Sequence, residues 1–289
     1  MFEARLAEAA EAVGAHLAAT LAAYGDLPVA RAMAHAAGGG KRLRGFLVLE
    51  GARLCEVPEA RALWPAGAIE AVHAYSLVHD DLPCMDDDAL RRGQPTVHVK
   101  WDEATAVLAG DALQTAAFEM VLRPECHPEA EVRADLALSL ARAAGARGMV
   151  LGQALDIAAE SAEAPLTLAE IEALQAGKTG ALFGWAAEAG ARMARADIAP
   201  FRDYAAALGL AFQIADDLLD VEGDAAKAGK RLQKDAEAGK ATFVSLLGVD
   251  GARARAAELA DQACDAVAPF GAGAGTLQAL ARFVISRES

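Results

Sequence analysis

Aromatic residues make up only 5% of this 289-residue sequence, and cysteine occurs four times, at Cys55, Cys84, Cys126 and Cys264. The cysteines are widely spaced and none forms a Cys-x-x-Cys pair, which removes the usual zinc and dithiol redox motifs. They read as free thiols in a reducing compartment. Basic residues are in deficit: 27 Lys and Arg face 41 Asp and Glu, for a formal net charge of −14. Such a surface repels phosphate backbones, so nucleic acid is not expected as a partner. A phosphate-bearing ligand must instead be held by clustered cations or by metal ions. No stretch approaches the roughly 20 uncharged apolar residues of a membrane span. The opening Met1-Phe2-Glu3-Ala4-Arg5 lacks the basic start and apolar run of a signal peptide. A cytoplasmic protein with no membrane span is expected.

Strand signals are also scarce, because alternation is confined to Thr96-Val97-His98-Val99-Lys100. What is present is helix former: 54% of residues are hydrophobic, dominated by alanine and leucine, which lose little side-chain freedom in a helix. Helical periodicity marks residues 1–24, 42–56, 64–81, 103–122, 128–160, 168–189, 200–221 and 237–248. The breaks hold turn residues such as Asp26-Leu27-Pro28, Gly38-Gly39-Gly40, Arg123-Pro124 and Ala164-Pro165. With no repeat and no long linker, residues 1–289 read as one all-α domain. Segments 64–81 and 205–221 are apolar around most of their circumference until their C-terminal ends. That pattern suits a helical bundle around a central cavity.

Both apolar segments end in acidic clusters. The first is His79-Asp80-Asp81-Leu82-Pro83-Cys84-Met85-Asp86-Asp87-Asp88, followed by Arg91-Arg92-Gly93, and the second is Gln213-Ile214-Ala215-Asp216-Asp217-Leu218-Leu219-Asp220. Carboxylates at helix C-termini oppose the macrodipole and call for a compensating cation. Asp216 and Asp220 are one turn apart on one face. Pro83 interrupts the first helix, so that Asp86 can fold back toward Asp80. Hard oxygen ligands of this kind suit magnesium, which keeps several waters and is completed by substrate phosphates. Either cluster alone reads as a solvated acidic helix end; the two together, each with basic residues nearby, point to a metal–diphosphate site. An EF-hand is excluded, since Asp86-x-Asp88 lacks the following ligand, the glycine and the distal glutamate.

Gly38-Gly39-Gly40-Lys41-Arg42-Leu43-Arg44 is a glycine-rich loop entering a helix, with Lys41 and Arg44 expected on one face of its first turn. It is not a Walker loop, because position 35 is His and Arg42 replaces the Ser/Thr. Glu70-x-x-His73 fits a di-iron bundle motif, but the second copy that motif needs is missing. Gly271-x-Gly273-x-Gly275 follows no strand and reads as a helix–helix connection.

An Asp-Asp-x4-Asp cluster followed by Arg-Arg, paired with a distant Asp-Asp-x-x-Asp, resembles the two aspartate-rich motifs of trans-prenyl diphosphate synthases. The strings His73-Ala74-Tyr75-Ser76-Leu77-Val78-His79 and Leu108-Ala109-Gly110-Asp111-Ala112-Leu113 extend the resemblance, which runs from about residue 38 to Phe283-Val284-Ile285. Within that family the sequence most resembles bacterial farnesyl diphosphate synthases. The resemblance implies an isoprenoid-synthase helical fold, isoprenoid diphosphate substrates, homodimerisation and magnesium, about three ions per substrate-loaded site. It assigns metal binding to Asp80, Asp81, Asp86, Asp216, Asp217 and Asp220, converging across an apolar hollow. It gives isopentenyl diphosphate to Lys41, Arg44, His73 and Arg92, and the allylic diphosphate to Arg91, Lys178, Thr179, Gln213, Lys230 and Lys240. Of these, Arg91, Lys178, Thr179 and Gln213 would act in catalysis.

Product length is expected to be set by Tyr75 and Ser76. Tyr75 lies five residues before Asp80, about 7.5 Å along a helix axis, where its ring could stop the growing tail after three isoprene units. Three positions depart from the family pattern: Ala89 where a further Asp often stands, Arg231-Leu232-Gln233-Lys234-Asp235 without the glycine before the aspartate, and Phe243-Val244 in place of Tyr-Pro. Two alternatives stay open, a geranylgeranyl diphosphate synthase and a non-catalytic regulatory subunit of a prenyl synthase.

Overall fold

The computed structural model describes residues 2–160, 166–222 and 242–286. The fold is all-α, and two compact units are distinguished: Met1–Leu138 with Ala189–Ala196, and Ser139–Glu188 with Asp197–Ser289.

In the first unit, α1 (Phe2–Ala22), α2 (Pro28–Ala36), α3 (Leu43–Leu54), α4 (Glu59–Asp80) and α6 (Glu103–Leu122) carry the core. Helix α4 is its axis, packed by α1, α2, α3 and α6. Ala62, Ala66, Ile69 and Val72 on α4 are completely covered, as a helix apolar on all sides requires. It starts five residues before the expected position and accommodates Pro65 internally. Helix α6 matches the expected 103–122 at both ends. Its N-terminus is fixed by Asp102, whose carboxylate accepts the Thr105 N–H at 2.7 Å.

The alternating run Thr96–Lys100 forms a helical turn, α5 (Val97–Lys100). A strand would place Val97 and Val99 on the same face. Here Val97 is buried at 3% exposure while Val99 stands out at 51%, so burial of one valine decided the geometry. The strands among the described residues are β1 (Leu90–Arg91) and β2 (Gln94–Pro95), an antiparallel pair.

The expected 128–160 helix is divided into α7 (Ala130–Ala144) and α8 (Met149–Glu160) by the glycine-bounded turn Gly145–Gly148. In the second unit, α9 (Leu168–Gln175) starts with a Thr167–Glu170 capping box. It passes through a π-helical turn, Ala176–Gly180, into α10 (Ala181–Ala194). Helix α11 (Ala199–Glu222) is the axis of this unit, packed against α12 (Phe243–Ala266) and α13 (Gly275–Ser286). Tyr204 of α11 is completely buried and its hydroxyl donates to the Leu277 carbonyl at 2.8 Å. Helix α12 runs past the expected end at 248, because Gly248 takes φ +71° there and the helix resumes beyond the kink. Gly271 and Gly273 lie in the 3-10 turn Ala268–Ala274 and Gly275 opens α13, so the run is a helix–helix connection, as the sequence suggested.

Candidate active site

The first acidic cluster is shaped by the end of α4. Beyond Asp81 the chain turns through Leu82-Pro83, and the backbone N–H of Asp86 donates to the Asp80 carbonyl at 2.8 Å. The expected fold-back of Asp86 is therefore present. Asp86 is exposed and Asp80 half-buried.

Asp81 is different: it is 3% exposed, and its Oδ1 accepts from Arg91 Nε at 2.7 Å and Nη2 at 2.5 Å. Burial pushes the Asp81 carboxyl above its ordinary range, against the pull of Arg91. Arg91 also loses hydration, but its bond to Asp81 and the charges of Asp81, Asp88 and Asp80 more than offset that and hold its guanidinium above the usual value.

Arg91 and Arg92 stand at the tip of a two-residue hairpin, where Arg92 (φ +52°) and Gly93 (φ +74°) take the paired left-handed conformations such turns require. Arg92 reaches across to the glycine-rich loop, its Nη1 donating to the carbonyls of Gly38 at 3.0 Å and Gly39 at 3.3 Å. A Cβ on Gly40 would lie 2.8 Å from Arg92 Cζ, so this contact needs glycine there. Gly38–Gly40, Leu77, Asp81, Arg91 and Arg92 line one pocket of about 420 Å³. On the adjacent face of α4, burial and then the charges of Arg44, Arg92 and Arg91 hold the His73 imidazole well below its usual pKa. Four of the expected diphosphate groups are thus within electrostatic reach of one another. Lys41 departs from expectation: α3 starts at Leu43, so Lys41 lies in the loop and shares no helix face with Arg44.

Tyr75 is 5% exposed and meets the His79 ring edge-on at 5.9 Å. Burial raises its phenol pKa, with Gln114 lowering it and Asp80 raising it. Ser76, the second expected length-setting residue, donates its hydroxyl to the His73 carbonyl at 2.9 Å. Its hydroxyl is therefore tied to its own helix backbone.

In the second unit, the π-helical turn displays Lys178 and Thr179. Lys178 Nζ lies 2.6 Å from Asp156 Oδ2 of α8, and Thr179 donates to Gln213 Oε1 on α11 at 3.0 Å. Gly152 lets α8 approach: a Cβ there would stand 2.0 Å from the Lys178 backbone nitrogen. Asp216 and Asp220 keep their i, i+4 spacing and are half-buried. Asp217 is 7% exposed and its Oδ2 accepts the Phe243 N–H at 2.8 Å, capping the first turn of α12. Expected as a metal ligand, it has a backbone partner in this structure.

Asp156 was not among the expected residues; its signal was the one charged residue in the stretch Met149–Ala159. Lys230, Lys240 and the departure at 231–235 lie outside the described residues. Among the described residues, no three carboxylates, imidazoles or thiols are gathered closely enough to hold a metal by themselves. The donor set of Asp80 and Asp86, hard oxygens on a turn with an exposed side, fits an ion completed by waters and phosphate oxygens. Among the described residues no helix is long and apolar enough to cross a membrane.

A profile of the polyprenyl synthetase family matches residues 28–267. The chain belongs to the polyprenyl synthetase family. Among curated polyprenyl synthetases, the farnesyl diphosphate synthase of Escherichia coli is 44% identical over 91% of this chain and 91% of its own length. Geranylgeranyl pyrophosphate synthase 11 of Arabidopsis thaliana is 37% identical over 100% of this chain and 83% of its own. Among solved structures, the FPP/GFPP synthase of Zymomonas mobilis superposes with a TM-score of 0.90 at 44% identity, covering 99% of both chains.

Proposed function

We propose that this polyprenyl synthetase condenses isopentenyl diphosphate with dimethylallyl or geranyl diphosphate to give farnesyl diphosphate and diphosphate, acting as one domain over 1–289. The observation that carries the reading is the 420 Å³ pocket, in which a glycine loop, Asp81, Arg91 and Arg92 meet beside the Asp80–Asp86 turn. The 44% identity to a farnesyl diphosphate synthase over nearly the whole chain favours the fifteen-carbon product over the twenty-carbon one. The regulatory-subunit reading loses its ground, because a subunit freed from catalysis has no reason to keep both acidic clusters and the arginine hairpin.

Isopentenyl diphosphate is held by Lys41, Arg44, His73 and Arg92. The allylic diphosphate is held by Arg91, Lys178, Lys230 and Lys240. Asp80, Asp86, Asp216 and Asp220 are the ligands we assign to magnesium, while Asp81 orients Arg91 and Asp217 caps α12. Magnesium held by these carboxylates would supply positive charge to the departing diphosphate. The cations Arg91 and Lys178 stabilise the same charge as the allylic C1–O bond breaks. Thr179 and Gln213 face the allylic cation with oxygen atoms, and apolar walls keep water from it. The double bond of isopentenyl diphosphate then attacks C1, and the proton lost in forming the new double bond passes to the released diphosphate. Tyr75 sets the length limit. The protein acts as a cytoplasmic homodimer in isoprenoid biosynthesis.

The test is incubation of pure protein with magnesium, isopentenyl diphosphate and geranyl diphosphate, followed by chromatography of the dephosphorylated products. Farnesol is expected; geranylgeraniol as the main product would shift the reading to the twenty-carbon synthase, and no prenol longer than geraniol would overturn it.

A further inference from the structure

Glu70 and His73 stand one turn apart on one face of α4, and only His73 has a use in the scheme above. Glu70 is 5% exposed, and its two oxygens go to the root of the glycine loop. Its Oε1 accepts the Gly45 N–H at 2.8 Å, and its Oε2 lies 3.8 Å from Arg42 Nη1. Gly45 is the third residue of α3, and Arg42, the residue before that helix, offers no side-chain acceptor to the helix's orphan donors. A carboxylate from α4 supplies the missing acceptor at the positive end of the α3 dipole.

Arg42 is itself in an unusual state. Its backbone is left-handed, φ +49° and ψ +44°, a conformation unfavourable to a residue with a side chain. Its guanidinium is buried, and Nη2 donates to the Ala37 carbonyl at 2.7 Å. Gly14 of α1 leaves room for it, since a Cβ there would be only 3.3 Å from Arg42 Nε. Ala37 and Arg42 bracket Gly38–Lys41. One guanidinium therefore ties the two ends of the loop together, and one carboxylate ties that guanidinium to α4. Three consecutive glycines would otherwise leave the loop with wide conformational freedom.

We propose that Arg42 and Glu70 are positioning residues that set the Gly38–Lys41 loop, and with it Lys41 and Arg44, for the diphosphate of isopentenyl diphosphate. The inference rests on the function proposed above and adds two residues that touch no substrate. It also gives the Glu70-x-x-His73 pair a shared purpose: Glu70 fixes the loop from beneath, while His73 stands among the arginines of the pocket.

Glu70→Gln keeps an oxygen for the Gly45 N–H and removes the charge opposite Arg42. Arg42→Gln removes the tie to Glu70, and Arg42→Lys keeps the charge without the forked geometry. The expected result is a rise of about tenfold in KM for isopentenyl diphosphate in the two glutamine variants, a smaller rise in Arg42→Lys, and a KM for geranyl diphosphate within about twofold of the original. Calorimetric titration with isopentenyl diphosphate alone is expected to show the same weakening. A general loss of structure would move both KM values and the helical circular dichroism together. Should Glu70→Gln not fold, Arg42→Lys decides by the same split between substrates. An unchanged KM for isopentenyl diphosphate, or an equal rise for both substrates, overturns the positioning role. Absence of turnover in the unmodified protein overturns the functional reading instead, so the two failures are distinct.

Discussion

The Asp86 N–H meets the Asp80 carbonyl at 2.8 Å, which returns the chain after Pro83 to the end of α4. Two carboxylates six residues apart are thereby held on one turn, although a continuous helix would place Asp86 about one and two-thirds turns beyond Asp80. Asp80→Asn and Asp86→Asn preserve shape and remove charge. Each is expected to lower kcat by about 10²–10³-fold while leaving the thermal midpoint nearly unchanged. Initial rates at saturating substrate, with melting followed by circular dichroism, check both halves of that expectation.

Tyr75 is buried one turn before His79. Tyr75→Ala opens the volume that its ring occupies and is expected to shift the product from fifteen toward twenty carbons. The lost packing should cost about 3 kcal/mol of stability. Chromatography of the dephosphorylated products measures the first effect. An unchanged fifteen-carbon product would remove Tyr75 as the length limit.

Gly152 and Gly184 offer a matched pair. A Cβ at Gly152 would press on the Lys178 backbone nitrogen at 2.0 Å, and only backbone movement relieves that; at Gly184 nothing lies within 4 Å. Gly152→Ala should therefore cost about 2–3 kcal/mol and, by displacing Lys178 and Thr179, lower kcat at least about tenfold. Gly184→Ala, inside α10, should be neutral or stabilising by about 0.5–1 kcal/mol. Denaturant melts and initial rates on the two variants make the comparison.

Stability should depend on pH through His73. Burial, together with Arg44, Arg92 and Arg91, holds its folded-state pKa well below the unfolded value of 6.5. The unfolded chain therefore binds the proton more readily, and the contribution of neutral His73 is present above pH 6.5 and is lost as pH falls below it. Burial lowers the pKa of His16 in the same direction. The thermal midpoint should fall between about pH 7 and about pH 5, and His73→Gln should flatten part of that slope. A slope identical in the variant would show that other groups carry it.

Much of the candidate site's local arrangement was legible because it is close in sequence. Asp80, Asp86, Arg91 and Arg92 lie within thirteen positions, and a proline between two acidic runs announces the turn. Helix α6 could be read at both ends because its cap and its periodicity agree. The partners of individual side chains were not legible, since they are tertiary. Asp217 reads like its neighbour Asp216, but it caps a helix that begins 26 residues later, and Lys178 meets an aspartate 22 residues earlier. The expected end of α12 at 248 falls short of the real one for a physical reason: Gly248 breaks helical geometry, while packing against α11 and α13 supports a helix that resumes beyond it.

The most direct measurement is the release of diphosphate from geranyl diphosphate, followed in time with isopentenyl diphosphate present or absent and with magnesium present or chelated. Release matched one-for-one by isopentenyl diphosphate consumption, abolished by the chelator and restored by added magnesium, is the expected result. Release that ignores isopentenyl diphosphate, or that continues at full rate under the chelator, would contradict a metal-assisted condensation at these aspartates.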